Sequence, residues 1–284
     1  MTLVHSLQQI IKIDGSNLDD AVAGYIHEIV VDDRLQLPAV LTIRLDDIPG
    51  DILDKTKAKI GSKIEFSATP VGEPAPVQLF VGEVTALEGD YREVGKQILL
   101  RAYDLSHRLQ RGRHTEAYQN VTDKDLASKI ATRHGIQAGD MQATSTTYDH
   151  VAQANVSDWD FLKARARKIG FEISVTDGKF NFRKPTDASS APGEGNLSSD
   201  NPKQLVYGSE LIEFHPRLTA GAQVKKIGVR SWDPQQKKEI VGSADAATTS
   251  ASIPDKPSDV ANAVNEKAPY VSVDIPFEDN GGQD

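Results

Sequence analysis

Short apolar segments, several alternating apolar and polar side chains, are cut at close intervals by turn-forming residues over positions 7–103. That rhythm constrains the fold more than any other feature of the chain. Segments 7–13, 23–31, 37–45, 62–69, 77–87 and 96–103 are rich in Val, Ile, Leu, Phe and Tyr. In the run Lys63, Ile64, Glu65, Phe66 the apolar side chains fall on one face, as a half-buried strand requires. Turn chemistry separates the segments: Asp14-Gly15, Pro49-Gly50, Gly61, the stretch from Pro70 to Pro76, and Gly89-Asp90. Many short strands with regular turns predict a β-barrel or sandwich, with a short helix near 50–58.

The period changes after Asp104. Residues 122–134 predict a helix, with Thr122 as cap and Asp125 three residues on in a capping-box-like arrangement. Leu126, Ala127, Ile130 and Ala131 make its apolar face, and Gly135 supplies a left-handed stop. The design repeats over 157–169, with Ser157 as cap, Asp158 and Asp160 in the first turn, basic residues late, and Gly170 as stop. A hairpin follows. Asp177-Gly178 forms a two-residue turn that sets Val175 opposite Phe180 and Ile173 opposite Phe182. Residues 105–184 thus read as a small α+β unit. Residues 185–204 read as a polar loop, and strands resume at 209–214, 222–232 and 237–242. Residues 243–259 read as a second mobile loop, followed by one last strand-like alternation at 270–277.

Composition narrows the chemistry. With 38% hydrophobic and 26% charged residues over 284 positions, the chain has enough apolar surface to build a core and suggests about two compact units. A formal charge of −9 repels phosphate backbones on average, which disfavours broad nucleic-acid binding. The absence of cysteine removes disulfides, thiolate metal sites and cysteine nucleophiles. Neither a secretory signal nor an apolar run of membrane-spanning length is visible, so the product is expected to be made in the cytoplasm.

No catalytic constellation stands out. His5, His27, His107, His114, His134, His150 and His215 include no metalloprotease-type pair, while a metal site assembled from histidines distant in sequence stays open. There is no nucleophile elbow, phosphate-binding loop or dinucleotide fingerprint. Nothing singles out a carboxylate pair for glycoside hydrolysis. Trp159, Phe161, Phe171, Phe180 and Phe182 have the spacing of core residues. The basic stretch His107, Arg108, Arg111, Arg113 and His114 is read as an interface between proteins rather than a nucleic-acid site.

Three stretches together resemble one family. They are LFVGEVTALEG (79–89), YDLSHRLQRGRHTEAYQNVTDKDLASKIATRHGI (103–136) and HVAQANVSDWDFLKARARKIGFEISVTDGKFNFRKP (150–185). In this order they are similar to hub proteins of the VgrG and phage late control protein D family. Residues 224–242 look like the start of that family's second barrel, so the resemblance covers about 1–245.

The resemblance implies an α+β, mainly β architecture of two tube-protein-like barrels with an α+β insert. The expected domains are 1–104 (first barrel), 105–185 (insert), 186–204 (flexible loop) and 205–284 (partial second barrel and tail). It implies a structural, non-enzymatic baseplate hub. Three copies would match a sixfold inner tube to a threefold spike, with tube, spike tip, baseplate proteins and effector cargo as partners. No cofactor or stable membrane insertion is implied, and the chain would be incorporated into a phage-tail-like or type VI secretion-like particle. Strands 23–31 and 79–87 and the basic stretch are the expected interfaces. Charge reversal at Arg108, Arg111 and Arg113 is expected to weaken assembly while leaving the monomer folded. The alternatives are a tail-associated peptidoglycan hydrolase and a monomeric cell-wall-binding adaptor.

Overall fold

The computed structural model describes residues 8–35, 37–69, 75–93, 95–185, 213, 215, 219–221, 223–233, 236–246, 257–264 and 270–272. The chain divides into two compact units, 1–185 and 186–284. The first opens with β1 (Gln8–Ile13), β2 (Ser16–Asn17), α1 (Asp20–Ala23), β3 (Ile26–Asp32), β4 (Val40–Asp46), α2 (Ile52–Thr56), β5 (Lys63–Thr69), β6 (Val77–Arg92) and β7 (Gly95–Asp104). The strands form one seven-stranded antiparallel sheet in the order β2-β1-β5-β6-β7-β4-β3.

Alternation drives this sheet. Leu41, Ile43 and Leu45 of β4, and Ile64, Phe66 and Ala68 of β5, all point into one core. Among the described residues no pairing joins β2 or β1 to β3, so the sheet is open where the sequence predicts a barrel or sandwich. It is nevertheless strongly curled. In a flat sheet β1 and β3 would lie about 24 Å apart, at about 4.8 Å per strand. Gln9, Ile10 and Ile11 of β1 nonetheless line one pocket of about 290 Å³ together with Ile26 of β3. The short helix predicted near 50–58 is α2. Its Ile52 is buried in that core, and its backbone N–H is capped by Asp47 at 3.1 Å.

Gly82 is required by close approach. A Cβ there would lie 2.2 Å from the Tyr103 carbonyl oxygen and 2.6 Å from the Phe80 ring. At the end of β7 the buried Asp104 carboxylate accepts the backbone N–H groups of Ala39 and Ser106, each at 2.7 Å. It thereby ties the start of β4 to the chain leaving the sheet.

That chain continues as α3 (Ser106–Gln110), β8 (His114–Val121), α4 (Asp123–Arg133), β9 (Gln137–Met141), β10 (Tyr148–Val156), α5 (Asp158–Lys168), β11 (Glu172–Thr176) and β12 (Lys179–Arg183). The capping box before α4 is complete. Asp125 N donates to Thr122 Oγ1 at 3.1 Å, and Thr122 N donates to Asp125 Oδ2 at 3.0 Å. Ser157 caps α5 through Asp160 N at 3.1 Å. Both helices end in Schellman turns at positive-φ glycines. Ile136 N reaches Ala131 O at 2.9 Å beyond Gly135, and Phe171 N reaches Ala166 O at 2.8 Å beyond Gly170. The β11–β12 hairpin has the predicted register, Val175 to Phe180 and Ile173 to Phe182. Positive φ at Asp177 and Gly178 fits a twist-matched two-residue turn.

β9 was not expected. It adds to β12 in parallel, and β8 and β10 form a separate antiparallel pair. All five aromatics expected in the core are there, with the Phe171 and Phe182 rings 5.1 Å apart.

In the second unit, β13 (Lys226–Asp233) pairs antiparallel with β14 (Lys238–Asp245). Helix α6 (Pro257–Ala263) follows, and β15 (Tyr270–Ser272) runs parallel to β13. The start of α6 corrects the expectation of a loop through 259. Proline suits the first position of a helix, where its missing N–H costs nothing. The loop 186–204, all of strand 209–214 except Glu213, and residues 273–284 lie outside the described residues. No helix among the described residues is long and apolar enough to cross a membrane.

Candidate functional site

The basic stretch lies where the curled sheet meets the α+β lobe, and its five residues have different fates. Leaving β7, α3 turns His107 and Arg108 onto Glu83 of β6. Arg108 Nε donates to Glu83 Oε2 at 3.1 Å, and its Nη2 donates to Oε1. Arg108 Nη1 continues to the His134 carbonyl at 2.8 Å, spanning from the sheet to the end of α4. His107 Nε2 meets the same carboxylate at 3.2 Å. Burial pushes the Glu83 carboxyl up, but the hydrogen bonds from Arg108 and His107 outweigh it and hold it below its ordinary value. Burial lowers the His107 imidazole; Glu83 opposes this, and the Arg111 and Arg108 charges add to it. At Asp104, burial raises the carboxyl against the hydrogen bonds that favour its charged form.

Arg113 leans away and donates to the Asn155 carbonyl at 3.0 Å. Arg111 is exposed and makes no side-chain ion pair among the described residues. His114 points into a second cluster around Asp158, a fully buried carboxylate in the first turn of α5. His134 Nε2 donates to Asp158 Oδ2 at 2.7 Å, with Arg133 Nη1 at 3.5 Å and His114 Nε2 at 3.7 Å. Gln153 Nε2 occupies Oδ1 at 2.8 Å.

His114, His134 and Asp158 therefore assemble from distant positions, with ligand atoms within 4.8 Å of one another. The donor set has the types a transition metal accepts, but its surroundings oppose one. The Arg133 guanidinium approaches the very oxygen a cation would need. Its Nη2 is anchored on Glu116 and on Tyr118 Oη, so it is not free to withdraw. The arrangement instead neutralises a buried carboxylate and locks α4, α5, β8 and β10 together.

Two expectations change. Reversing the charge of Arg108 would set a carboxylate against Glu83, so it would weaken a contact inside the monomer as well as any between monomers. Strand 79–87 is no free edge, because β6 is hydrogen-bonded to β5 on one side and β7 on the other. Among the described residues β3 is an edge, paired only to β4. Sequence reasoning missed Glu83, Gln153, Arg133 and the pairing role of Asp158. Acidic residues in the first turn of α5 were legible as helix-dipole partners, but the contacts of Asp158 with residues distant in sequence carry no local signal.

A protein-family model described as "Alg8 N-terminal domain" matches residues 6–274. No curated protein matches the sequence. Among solved structures, the 43 kDa tail protein of prophage MuSo2 from Shewanella oneidensis is similar. It has a TM-score of 0.62 at 14% identity, covering 98% of this chain and 76% of that one. A tail protein from Neisseria meningitidis MC58 has a TM-score of 0.54 at 11% identity, covering 79% and 65%. Prophage tail protein gp18 from Listeria monocytogenes EGD-e has a TM-score of 0.52 at 13% identity, covering 93% and 71%. The fold is thus shared with phage tail proteins, and by the extent of the family match the chain belongs to the Alg8 N-terminal domain family.

Proposed function

We propose that this chain is a non-enzymatic hub subunit of a phage-tail-like or contractile injection apparatus, of the VgrG and late control protein D type. The observation that carries this reading is the fold. Nearly the whole chain superposes on a prophage tail protein with a TM-score of 0.62. In the proposal, 1–104 is a tube-related barrel domain, 105–185 its insert and 205–284 part of a second barrel. Three copies close a ring that fits a sixfold tube to a threefold spike. Inner tube, spike tip and baseplate proteins are the partners, with effector cargo as a further one. An open, curled sheet with a free β3 edge suits this role, because strand addition between neighbours completes what each subunit leaves unpaired. Arg111 and Arg113, exposed and without ion pairs among the described residues, are the assembly contacts of the basic stretch, while His107, Arg108 and His114 shape it from within. Mass photometry of the purified chain tests the reading. A species of three times the 30.9 kDa chain mass is expected, and a strictly monomeric protein at micromolar concentration argues against it.

A further inference from the structure

Two adjoining clefts run along the junction of sheet and α+β lobe. One, about 570 Å³, is bounded by the β3–β4 connection and by Tyr103, His107 and Arg111. The other, about 240 Å³, passes α3 to the first turn of α5 between Arg113, Trp159 and Lys163. Leu37 and Gln110 line both, so the clefts form one groove, with Leu37 54% exposed at its centre.

The groove's charge runs against that of the chain. Arg34 is taken by Asp32 at 2.7 Å. Arg111, Arg113 and Lys163 make no ion pair among the described residues. Asp160 lines the second cleft with Arg113 and Lys163 and accepts the Ser157 hydroxyl at 2.7 Å; even with its charge counted, the cations of the lining outnumber the carboxylates. Unpaired cations around an exposed leucine, on a protein of formal charge −9, call for a ligand that is both acidic and apolar. Stacking surface for nucleobases is poor, since Trp159 is buried and Tyr103 is the other aromatic carbocycle in the lining.

We infer that this groove receives an extended acidic segment of a different protein, seating an apolar side chain against Leu37 and carboxylates on Arg111, Arg113 and Lys163. This inference rests on the hub reading, in which neighbouring baseplate polypeptides supply such a segment.

The test is fluorescence anisotropy with the full chain and labelled peptides EELFEE and KKLFKK, beside a labelled dT12 oligonucleotide. EELFEE is expected to half-saturate below about 1 mM, with KKLFKK and dT12 weaker. The Arg111→Glu/Arg113→Glu pair should weaken EELFEE by about tenfold or more, and Leu37→Asp should also weaken it. Circular dichroism checks folding, and Lys163→Glu replaces any variant that misfolds. Absent EELFEE binding, equal binding of KKLFKK, tighter binding of dT12, or indifference to the folded variants overturns the inference. Mass photometry of the same samples separates the two claims. A trimer that ignores the peptide sinks only the groove, and a peptide-binding monomer sinks only the ring.

Discussion

Arg108 holds Glu83 through both carboxylate oxygens and, with its remaining nitrogen, grips the His134 carbonyl, so a single side chain joins sheet and α+β lobe. Truncating it strands a half-buried carboxylate. Arg108→Ala should cost about 1–3 kcal/mol in urea unfolding. The exposed Arg111→Ala should stay within about 0.5 kcal/mol of the parent. Equal effects would contradict the division of the basic stretch into internal and outward residues.

Acid should weaken the same junction in two steps. The His107 imidazole is lowered in the fold, so the unfolded chain takes up its proton first, and stability falls as pH drops below the ordinary value of 6.5. Glu83 is also lowered, so its contribution, full above its ordinary 4.5, disappears as pH falls through its folded value. Asp104 has the opposite sign. Being raised, it favours the fold below 3.8 and loses that contribution as pH climbs through its folded value. Urea titrations at pH 7.5 and 5.5 should show a decline that His107→Asn reduces; an unchanged decline assigns it elsewhere.

Gly82 has no room for a methyl group. Gly82→Ala should destabilise by about 1–3 kcal/mol, because the obstacle is the Tyr103 backbone oxygen and not a mobile side chain. Gly95→Ala, where nothing lies within 4 Å, is the control. Thermal melts of both variants check this.

Much of the α+β lobe was legible because its signals are local. Thr122 with Asp125, Gly135, Gly170 and Asp177-Gly178 each specify a cap, a stop or a turn within a few residues of themselves. The sheet was legible strand by strand but not in its closure, since whether β1 meets β3 depends on curvature summed over six strands. The site was least legible. Glu83 lies 25 positions from Arg108, and His114 and His134 lie 44 and 24 positions from Asp158. A parallel strand such as β9, exposed at Gln137, Ala138, Gly139 and Asp140, offers no apolar alternation to find.

Asp158 should behave as a structural carboxylate. Asp158→Ala leaves Arg133, His134 and Gln153 facing a void and should cost about 3–5 kcal/mol. Zinc or chelator should leave the parent's melting temperature unchanged. Stabilisation by zinc that vanishes in His114→Ala would show that Arg133 yields to a metal after all.

The account's central claim concerns place and symmetry in an assembled particle, and electron cryo-microscopy of a purified particle containing this chain measures both. Three copies in a ring at the end of the inner tube, each contributing its curled sheet to the tube-like wall, is the predicted result. A single copy, or a position remote from the tube axis, would contradict it.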